Sequence, residues 1–359
     1  RKILLLLNRL GGVVMIFLPL VVSASGAAGS EKPHNILIIN SYHRGYFWTD
    51  GMVKGVVETL ENTGTNTAVF VEYMDTRRYE LKALFPQLHR LYGTKYGKMK
   101  FDLIVTTDNN ALKFVRCCRR ELFGNVPIVF CGLDLTEKSM LDGLSPITGV
   151  VENMGEEFAV EAALKMHPAA EQLVIVNNKD LNPISNIEAF CDSFRGRKKV
   201  IFIELTEYTY EQFLERIKTF GHESIVLLPT RFSDSAGREY TAEETANIMR
   251  ICEGPIYTNN FQLMGSGPVG GCMNFAEHHG QIAGEMAAKI LSGEQASNIP
   301  IIHEGPKDFI FDYNRLRHFG VSMSDLPPHS TILNEPKSFY YQYKRQVWFA
   351  ASIFAILSL

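Results

Sequence analysis

The sequence has few cysteines and almost no excess of charge. Its six cysteines, in 359 residues, include no C-x-x-C pair, which argues against a zinc site and a thioredoxin-type redox pair. The net charge of -3 leaves the chain without the basic surface that nucleic acid binding requires. A hydrophobic fraction of 46% excludes a disordered chain. We therefore expect a globular protein with no nucleic acid partner, in which disulfide pairing stays open.

The motifs of several enzyme classes are also missing. There is no P-loop and no nucleophile elbow. Gly265–Gly270 matches the letters of a dinucleotide fingerprint, but it contains Pro268 and no helix with an acidic partner follows at once. His278 and His279 are adjacent and lack an evident third ligand. We therefore expect no cofactor, no metal and no catalysis in this chain.

The first thirty residues resemble an export signal. Arg1 and Lys2 supply positive charge, residues 3–22 are mostly apolar, and small residues fill positions 23–28. Residues 1–30 are therefore predicted to be a signal peptide, or an uncleaved signal anchor. Either interpretation implies a periplasmic or extracellular domain, and we expect this domain to be anchored in the cytoplasmic membrane of a bacterium.

The last residues form a second apolar stretch. Residues 346–359 are shorter than the roughly 20 residues that span a bilayer. Tyr340, Tyr341, Tyr343 and Trp348 are typical of a membrane interface. We expect residues 346–359 to begin a truncated transmembrane helix after a juxtamembrane linker at 331–345, with a buried C-terminal helix as the alternative. A homodimer through this membrane-proximal region is a further expectation.

Short apolar runs, most of them separated by helical patterns, predict an α/β fold of two doubly wound, parallel-sheet lobes. The runs are Ile36–Ile39, Leu103–Val105, Ile128–Phe130, Leu173–Val176, Ile225–Leu228 and Ile256–Tyr257. Late elements are expected to return to the first lobe and create a hinge of several crossovers. The N-terminal lobe is assigned to 31–147 plus about 276–305, and the C-terminal lobe to 148–275 plus about 306–330.

Each apolar run ends at hydrogen-bonding residues, and in open parallel sheets ligands bind beyond the carboxyl ends of the strands. The candidate ligand-binding residues share this position. They are Ser41, Tyr42, Trp48, Thr107, Asp108, Asn109, Gly132, Asp134, Asn177, Thr230, Arg231, Phe232, Thr258 and Asn259.

Alternative roles stay open for several of these side chains. For Tyr42 and Trp48 the two expected roles are stacking on a flat ligand and simply covering the hinge or the edge of a lobe. Asp108 pairs with an ammonium group or simply caps a helix. Arg231 suits a carboxylate because its planar fork meets two oxygens, although a surface ion pair is the commoner fate of an arginine. Gly132 lets the backbone approach a ligand closely.

Several motifs, in their order along the chain, resemble a known family. They are Asn40–His43, Trp48–Gly51, Thr107–Asn109, Pro127–Gly132, Gly267–Gly271 and Ile290–Glu294. Over about 35–328 the chain resembles the periplasmic substrate-binding proteins of ABC transporters, with a type I two-lobed fold. More narrowly, it resembles the version fused to bacterial membrane sensor kinases.

The resemblance implies that a small organic solute binds between the lobes. An amino acid or a planar carboxylate is the expected class, and lobe closure would signal its presence across the membrane. A solute receptor of an ABC transporter is the alternative, since it would use the same pocket.

Overall fold

A computed structural model describes residues 32–134, 138–152, 155–179, 184, 186–336 and 339–357. The export signal predicted at residues 1–30 lies outside these residues. From His34 onward the chain forms one compact unit that contains two β-sheets.

The first sheet has five parallel strands in the order β2-β1-β3-β4-β5. They are β1 (His34–Asn40), β2 (Thr67–Tyr73), β3 (Leu103–Thr107), β4 (Ile128–Leu133) and β5 (Ile147–Val151). Helices α1 (Phe47–Asn62), α2 (Leu81–Tyr96) and α3 (Asp108–Leu122) connect the first four strands. Because β5 pairs with β4, this sheet extends to Val151, beyond the boundary expected at residue 147.

The second sheet has seven strands in the order β12-β11-β10-β9-β8-β6-β7. They are β6 (Gln172–Asn177), β7 (Lys199–Glu204), β8 (Ser224–Leu227), β9 (Ile256–Tyr257), β10 (Gly270–Met273), β11 (Asp308–Asp312) and β12 (Thr331–Leu333). Its helices include α4 (Glu156–Met166), α5 (Ile187–Arg195), α6 (Tyr210–Ile217) and α7 (Ala242–Ile251). Strands β10 and β11 are antiparallel, whereas the other neighbouring pairs are parallel.

Helix α8 (Ala276–Leu291) follows the second sheet in sequence but packs against α1 and the first sheet. Two glycines allow the backbones of α1 and α8 to touch. A Cβ at Gly55 would lie 2.2 Å from the carbonyl oxygen of Glu277, and one at Gly280 would lie 2.2 Å from that of Met52. The first lobe is therefore built from two separate stretches of chain.

Two helices follow α8, namely α9 (Tyr313–His318) and α10 (Phe339–Leu357). The segment 331–345, expected to be a linker, contains β12 and the start of α10. Among the described residues, no helix combines the length and the hydropathy needed to cross a bilayer. All six cysteines lie in the described part of the chain, and all are free thiols.

The chain crosses between the two sheets after β5, after β10 and before β11. These crossovers touch one another. The side-chain amide of Asn274, after β10, donates a hydrogen bond of 3.1 Å to Oε1 of Glu152, after β5. A Cβ at Gly305, before β11, would lie 2.8 Å from the ring of His279. The hinge is thus a single packed cluster of side chains.

Candidate functional site

Ser41 and Thr107 join the ends of β1 and β3 to the start of α3. The hydroxyl of Ser41 donates to the carbonyl oxygen of Thr107 at 2.7 Å and accepts from the backbone amide of Ala111 at 2.8 Å. The hydroxyl of Thr107 donates to Oδ1 of Asn40 at 3.0 Å. Both hydroxyls are buried, so their described role is to hold this strand edge and helix in place.

Asn109 and Asp134 form a reciprocal pair between α3 and the end of β4. The side-chain amide of Asn109 donates to the carbonyl oxygen of Asp134 at 3.1 Å, and the amide N–H of Asp134 donates to Oδ1 of Asn109 at 2.9 Å. This pair therefore holds the start of α3 against the end of β4.

Asp108 is the first residue of α3, and it is both buried and left-handed in its backbone. Its φ of 60° is uncommon for a residue with a side chain and is often found at functional sites. The side chain is only 5% exposed, and Nε1 of Trp48 donates to its Oδ1 at 2.9 Å. Its other oxygen, Oδ2, has no hydrogen-bond partner among the described residues. A buried acceptor without a hydrogen bond costs free energy, so binding of a ligand that donates to Oδ2 is favoured.

Gly132 provides the space beside this carboxylate. Its φ of +68° is readily adopted by glycine. A Cβ there would lie 3.1 Å from the sulfur of Met52 and 3.6 Å from Oδ1 of Asp108. A larger side chain would therefore crowd Asp108.

Burial raises the pKa of Asp108 to about 7. The bond from Trp48, the neighbouring Thr107 hydroxyl and the positive charge of Arg77 oppose this rise. Near neutral pH the carboxyl group therefore exchanges between a neutral and an anionic form, and a nearby positive charge would shift it toward the anion.

A second carboxylate, Glu152, follows β5 at the hinge and is half-buried. Burial holds its pKa well above the usual range, and the charges of Asp108, Asp134 and Glu156 raise it further. Burial likewise raises the pKa of Glu156 to about 8, while Asn259 donates to its Oε1 at 2.8 Å. The described residues contain no group of three or more His, Cys, Asp or Glu side chains placed to hold a metal ion.

His279 lies in the hinge and links Glu152 to Asp108 through neighbouring side chains. Burial lowers its pKa to about 4, so the ring is neutral at physiological pH. Its Nε2 lies 2.7 Å from Oδ1 of Asn274, whose amide donates to Glu152, so this nitrogen carries the ring proton. The ring centroid of Trp48, which donates to Asp108, lies 5.6 Å from that of His279. A continuous set of contacts thus runs from Glu152 to Asp108.

Aromatic side chains of the loop after β1 lie next to these acids. Tyr42 and Tyr46 meet edge to face, with their ring centroids 5.6 Å apart. The guanidinium of Arg77 lies 4.4 Å from the ring centroid of Tyr46 and 5.6 Å from that of Tyr42. Burial raises the pKa of Tyr42, and the charges of Asp108 and Glu152 add to that rise. The phenol of Tyr42 and both carboxylates therefore share one electrostatic environment.

The predicted second-lobe residues are divided between the hinge and local structure. Asn177 donates to Oε2 of Glu204 at 2.7 Å. Arg231 donates to both carboxylate oxygens of Glu239, at 2.6 and 2.7 Å. Phe232 is buried and stacks on Tyr240 at 6.1 Å. The hydrogen bonds of Asn177 and Arg231 stay within the second lobe, and Arg231 forms an ion pair with Glu239. The charge of Arg231 also reaches the first lobe, where it opposes the rise in the pKa of Tyr46.

Thr230 and Thr258 support the loop around Asn260. The amide side chain of Asn260 donates to the carbonyl oxygen of Thr230 at 2.8 Å, and its backbone N–H donates to the hydroxyl of Thr258 at 3.1 Å. Asn259, through its bond to Glu156, is the predicted second-lobe residue that contacts the acidic cluster. The structure therefore does not gather all fourteen predicted residues into one site.

Sequence reasoning missed several residues of the site. They are Arg77, Glu152, Glu156, Asn274 and His279. Glu152 follows a parallel strand, as the rule for such sites requires, but the short β5 was not recognised as a strand. His279 was considered only as a metal ligand. For Arg77 no local pattern exists, because its contact with Tyr46 depends on the path of the loop after β2.

No protein-family model matches the chain, and neither does any curated protein sequence. Solved structures do. A ligand-free, open substrate-binding protein with adhesive properties from Clostridium difficile has a TM-score of 0.60 at 16% identity, covering 84% of this chain and 100% of that one. A conserved domain protein from Vibrio cholerae has a TM-score of 0.52 at 13% identity, covering 84% and 99%.

An ABC domain from Streptococcus pneumonia in complex with L-Trp is also similar, with a TM-score of 0.51 at 11% identity, covering 83% of this chain and 100% of that one. At these identities the likeness concerns the fold. The expected α/β fold with parallel-sheet lobes, of the type I periplasmic-binding-protein kind, is confirmed.

Proposed function

We propose that this chain is a non-catalytic, extracytoplasmic module that binds a small organic molecule between its two lobes. The observation that carries the proposal is the buried carboxylate of Asp108, whose Oδ2 has no hydrogen-bond partner among the described residues. It lies at the carboxyl end of β3, where parallel sheets bind ligands. The substrate-binding proteins with a similar fold support the same assignment.

The hinge gives this binding a mechanical consequence. Glu152 and Asn274 lie on crossovers between the sheets, and Asn259 comes from the second lobe. A ligand that contacts Asp108 and the second-lobe side of this cluster together would favour a closed arrangement. Ligand can shift the open and closed populations only by its different affinity for them.

The test is mass spectrometry of the purified protein before and after denaturation. We expect denaturation to release a small organic molecule. A Tyr42→Ala variant should lose most of it, because Tyr42 lies beside both carboxylates. A Phe202→Ala variant is the control, because Phe202 is an exposed aromatic residue on edge strand β7. Equal retention of the molecule by both variants would place its site elsewhere.

Within this class we propose a sensor domain, as in the proteins fused to membrane kinases. The feature in its favour is α10, which exposes Trp348, Phe349, Phe354 and Leu357. A helix with this surface would pass lobe movement to a membrane or to a second copy of the chain. A solute receptor of an ABC transporter is the second candidate, favoured by the similarity to substrate-binding proteins.

Membrane partition separates these two roles. The full chain with α10 intact should sediment with vesicles of bacterial phospholipids, and a Trp348→Ser/Phe354→Ser variant should not. A protein that stays in solution in both forms would favour the transport receptor. Ligand release, measured separately, should be the same for both forms.

A further inference from the structure

Acidic groups outnumber basic groups around the hinge. Asp108, Asp134 and Glu156 each raise the pKa of Glu152, whereas the cations are Arg77, which acts on Asp108, and Arg231, which acts with Arg77 on Tyr46. Placing several carboxylates near one another in a partly buried region costs free energy, because like charges repel and burial removes water. A cation bound among them would relieve both effects.

The aromatic pair beside the acids has the same preference. Tyr42 and Tyr46 already hold the guanidinium of Arg77 within cation–π distance, and Nη1 of Arg77 donates to the hydroxyl of Tyr46 at 2.6 Å. Aromatic faces attract cations through their quadrupole, and such cages recognise ammonium ligands. The apolar surface of the rings would cover the body of the same ligand.

The arginine best suited to an anionic ligand already faces an acid. Nη2 of Arg231 donates to both oxygens of Glu239, so the charge of that carboxylate offsets the charge of the guanidinium. The hydroxyls of Ser41 and Thr107 have likewise given their hydrogens to protein acceptors. A carboxylate ligand beside Asp108 would therefore meet a second carboxylate and two hydroxyls that already donate elsewhere.

We propose that the ligand is an organic cation, an ammonium or amidinium group on an aromatic or apolar body, which donates to Oδ2 of Asp108 and to Glu152 while Tyr42 covers its body. This inference rests on the proposed function and narrows it to one class of solute. It replaces the expectation of a planar carboxylate. An amino acid would bind through its ammonium group.

The experiment is isothermal titration calorimetry on the full chain at pH 8. The probes are three amines (2-phenylethylamine, tryptamine and benzamidine) and the matched carboxylate 3-phenylpropionate. We expect at least one amine to bind and the carboxylate not to bind. Asp108→Asn and Glu152→Gln should each weaken amine binding tenfold or more, whereas Asp192→Asn, which changes an exposed acid on α5, should not.

A second measurement applies if a variant folds poorly. In the unmodified protein, amine affinity should fall as the pH is lowered from 8 to 6, because protonation removes the charge of Asp108. The titratable or charged groups acting with it are Glu152, Arg77, Tyr42, Tyr46 and Cys131. Amine affinity that is independent of pH, or unchanged in both acid variants, would overturn the inference.

Failure of this inference can be distinguished from failure of the proposed function. If 3-phenylpropionate binds more tightly than every amine, or if the released molecule is an anion lost in Tyr42→Ala, the cleft binds solutes but the cation assignment is wrong. If no probe binds and denaturation releases no molecule, both proposals fail. Binding of an amine that depends on Asp108 supports both.

Discussion

At the scale of single residues, Asp108 is a carboxylate in a place where burial disfavours its ionised form. It is buried, its backbone has a positive φ, and only one of its oxygens receives a hydrogen bond from the described residues. Residues of this kind are retained at sites where strain or desolvation serves binding. Two substitutions measure how much the buried Asp108 lowers the free energy of unfolding.

The first is Asp108→Asn, which keeps the shape and suits the backbone, because asparagine tolerates a positive φ better than most residues. The folded-state pKa of about 7 exceeds the unfolded value, so the folded protein loses stability as the pH rises from about 4 to 7. Asparagine removes this loss. We expect the free energy of unfolding of the variant, relative to the parent, to rise by about 2 to 3 kcal/mol between pH 5 and pH 8.

Urea denaturation of both proteins at the two pH values measures this difference. Asp192→Asn serves as the control, and its stability relative to the parent should not depend on pH in this range. A constant difference for Asp108→Asn would mean that Asp108 is ionised throughout.

The second substitution is Trp48→Phe, which keeps an aromatic ring and removes the donor to Oδ1 of Asp108. Leaving a buried charged acceptor without its donor costs about 1 to 3 kcal/mol. We expect this loss in the free energy of unfolding at pH 8 and a smaller one at pH 5, where the carboxyl group is protonated. In the double variant with Asp108→Asn the losses should not add, and additive effects would argue against a direct coupling.

At the scale of elements, the contact between α1 and α8 determines how the first lobe is completed. Gly51 and Gly55 on α1 meet Ala276, Glu277 and Gly280 on α8, at distances that leave no room for side chains. The spacing of these glycines is visible in the sequence. Their partnership is not, because α1 and α8 are separated by the chain of the second sheet.

Gly280→Ala tests this contact. Its new methyl group would meet the carbonyl oxygen of Met52, and the helices would have to separate. We expect the free energy of unfolding to fall by about 1 to 3 kcal/mol or more, as for other overpacked sites. Thermal unfolding followed by circular dichroism measures the change.

The matched control is Gly93→Ala on α2, where the nearest side chain lies 3.5 Å from the new methyl group. This substitution should leave stability unchanged or raise it by up to about 1 kcal/mol, since alanine favours helices. A similar loss in both variants would show that the loss is not specific to the contact between α1 and α8.

Elements with long apolar runs could be predicted from the sequence, whereas short or edge elements could not. Leu103–Val105 lies within β3, and the run Ile225–Leu228 lies within β8 except for its last residue, because continuous apolar runs suit strands buried on both faces. Strand β5 was missed because Gly149 interrupts its pattern, and β12 because it has three residues. Site residues on strand ends were partly predictable, but those on crossovers, such as Asn274, depend on tertiary structure.

At the scale of the whole molecule, binding between lobes should change the overall dimensions of the protein. The crossovers meet at Glu152, Asn274 and His279, so movement there would rotate one lobe against the other. We expect the radius of gyration from small-angle X-ray scattering to fall when an amine that binds in calorimetry saturates the protein. In Asp108→Asn the same concentration should cause less change, and equal compaction would contradict a role for this carboxylate in closure.

The interleaving of the lobes also has a consequence for synthesis on the ribosome. The first sheet is complete in the chain at Val151, but the helix that covers it beside α1 arrives only with Ala276–Leu291. The second sheet likewise waits for β11. The first lobe therefore cannot reach its final packing until much of the second lobe has also emerged from the ribosome.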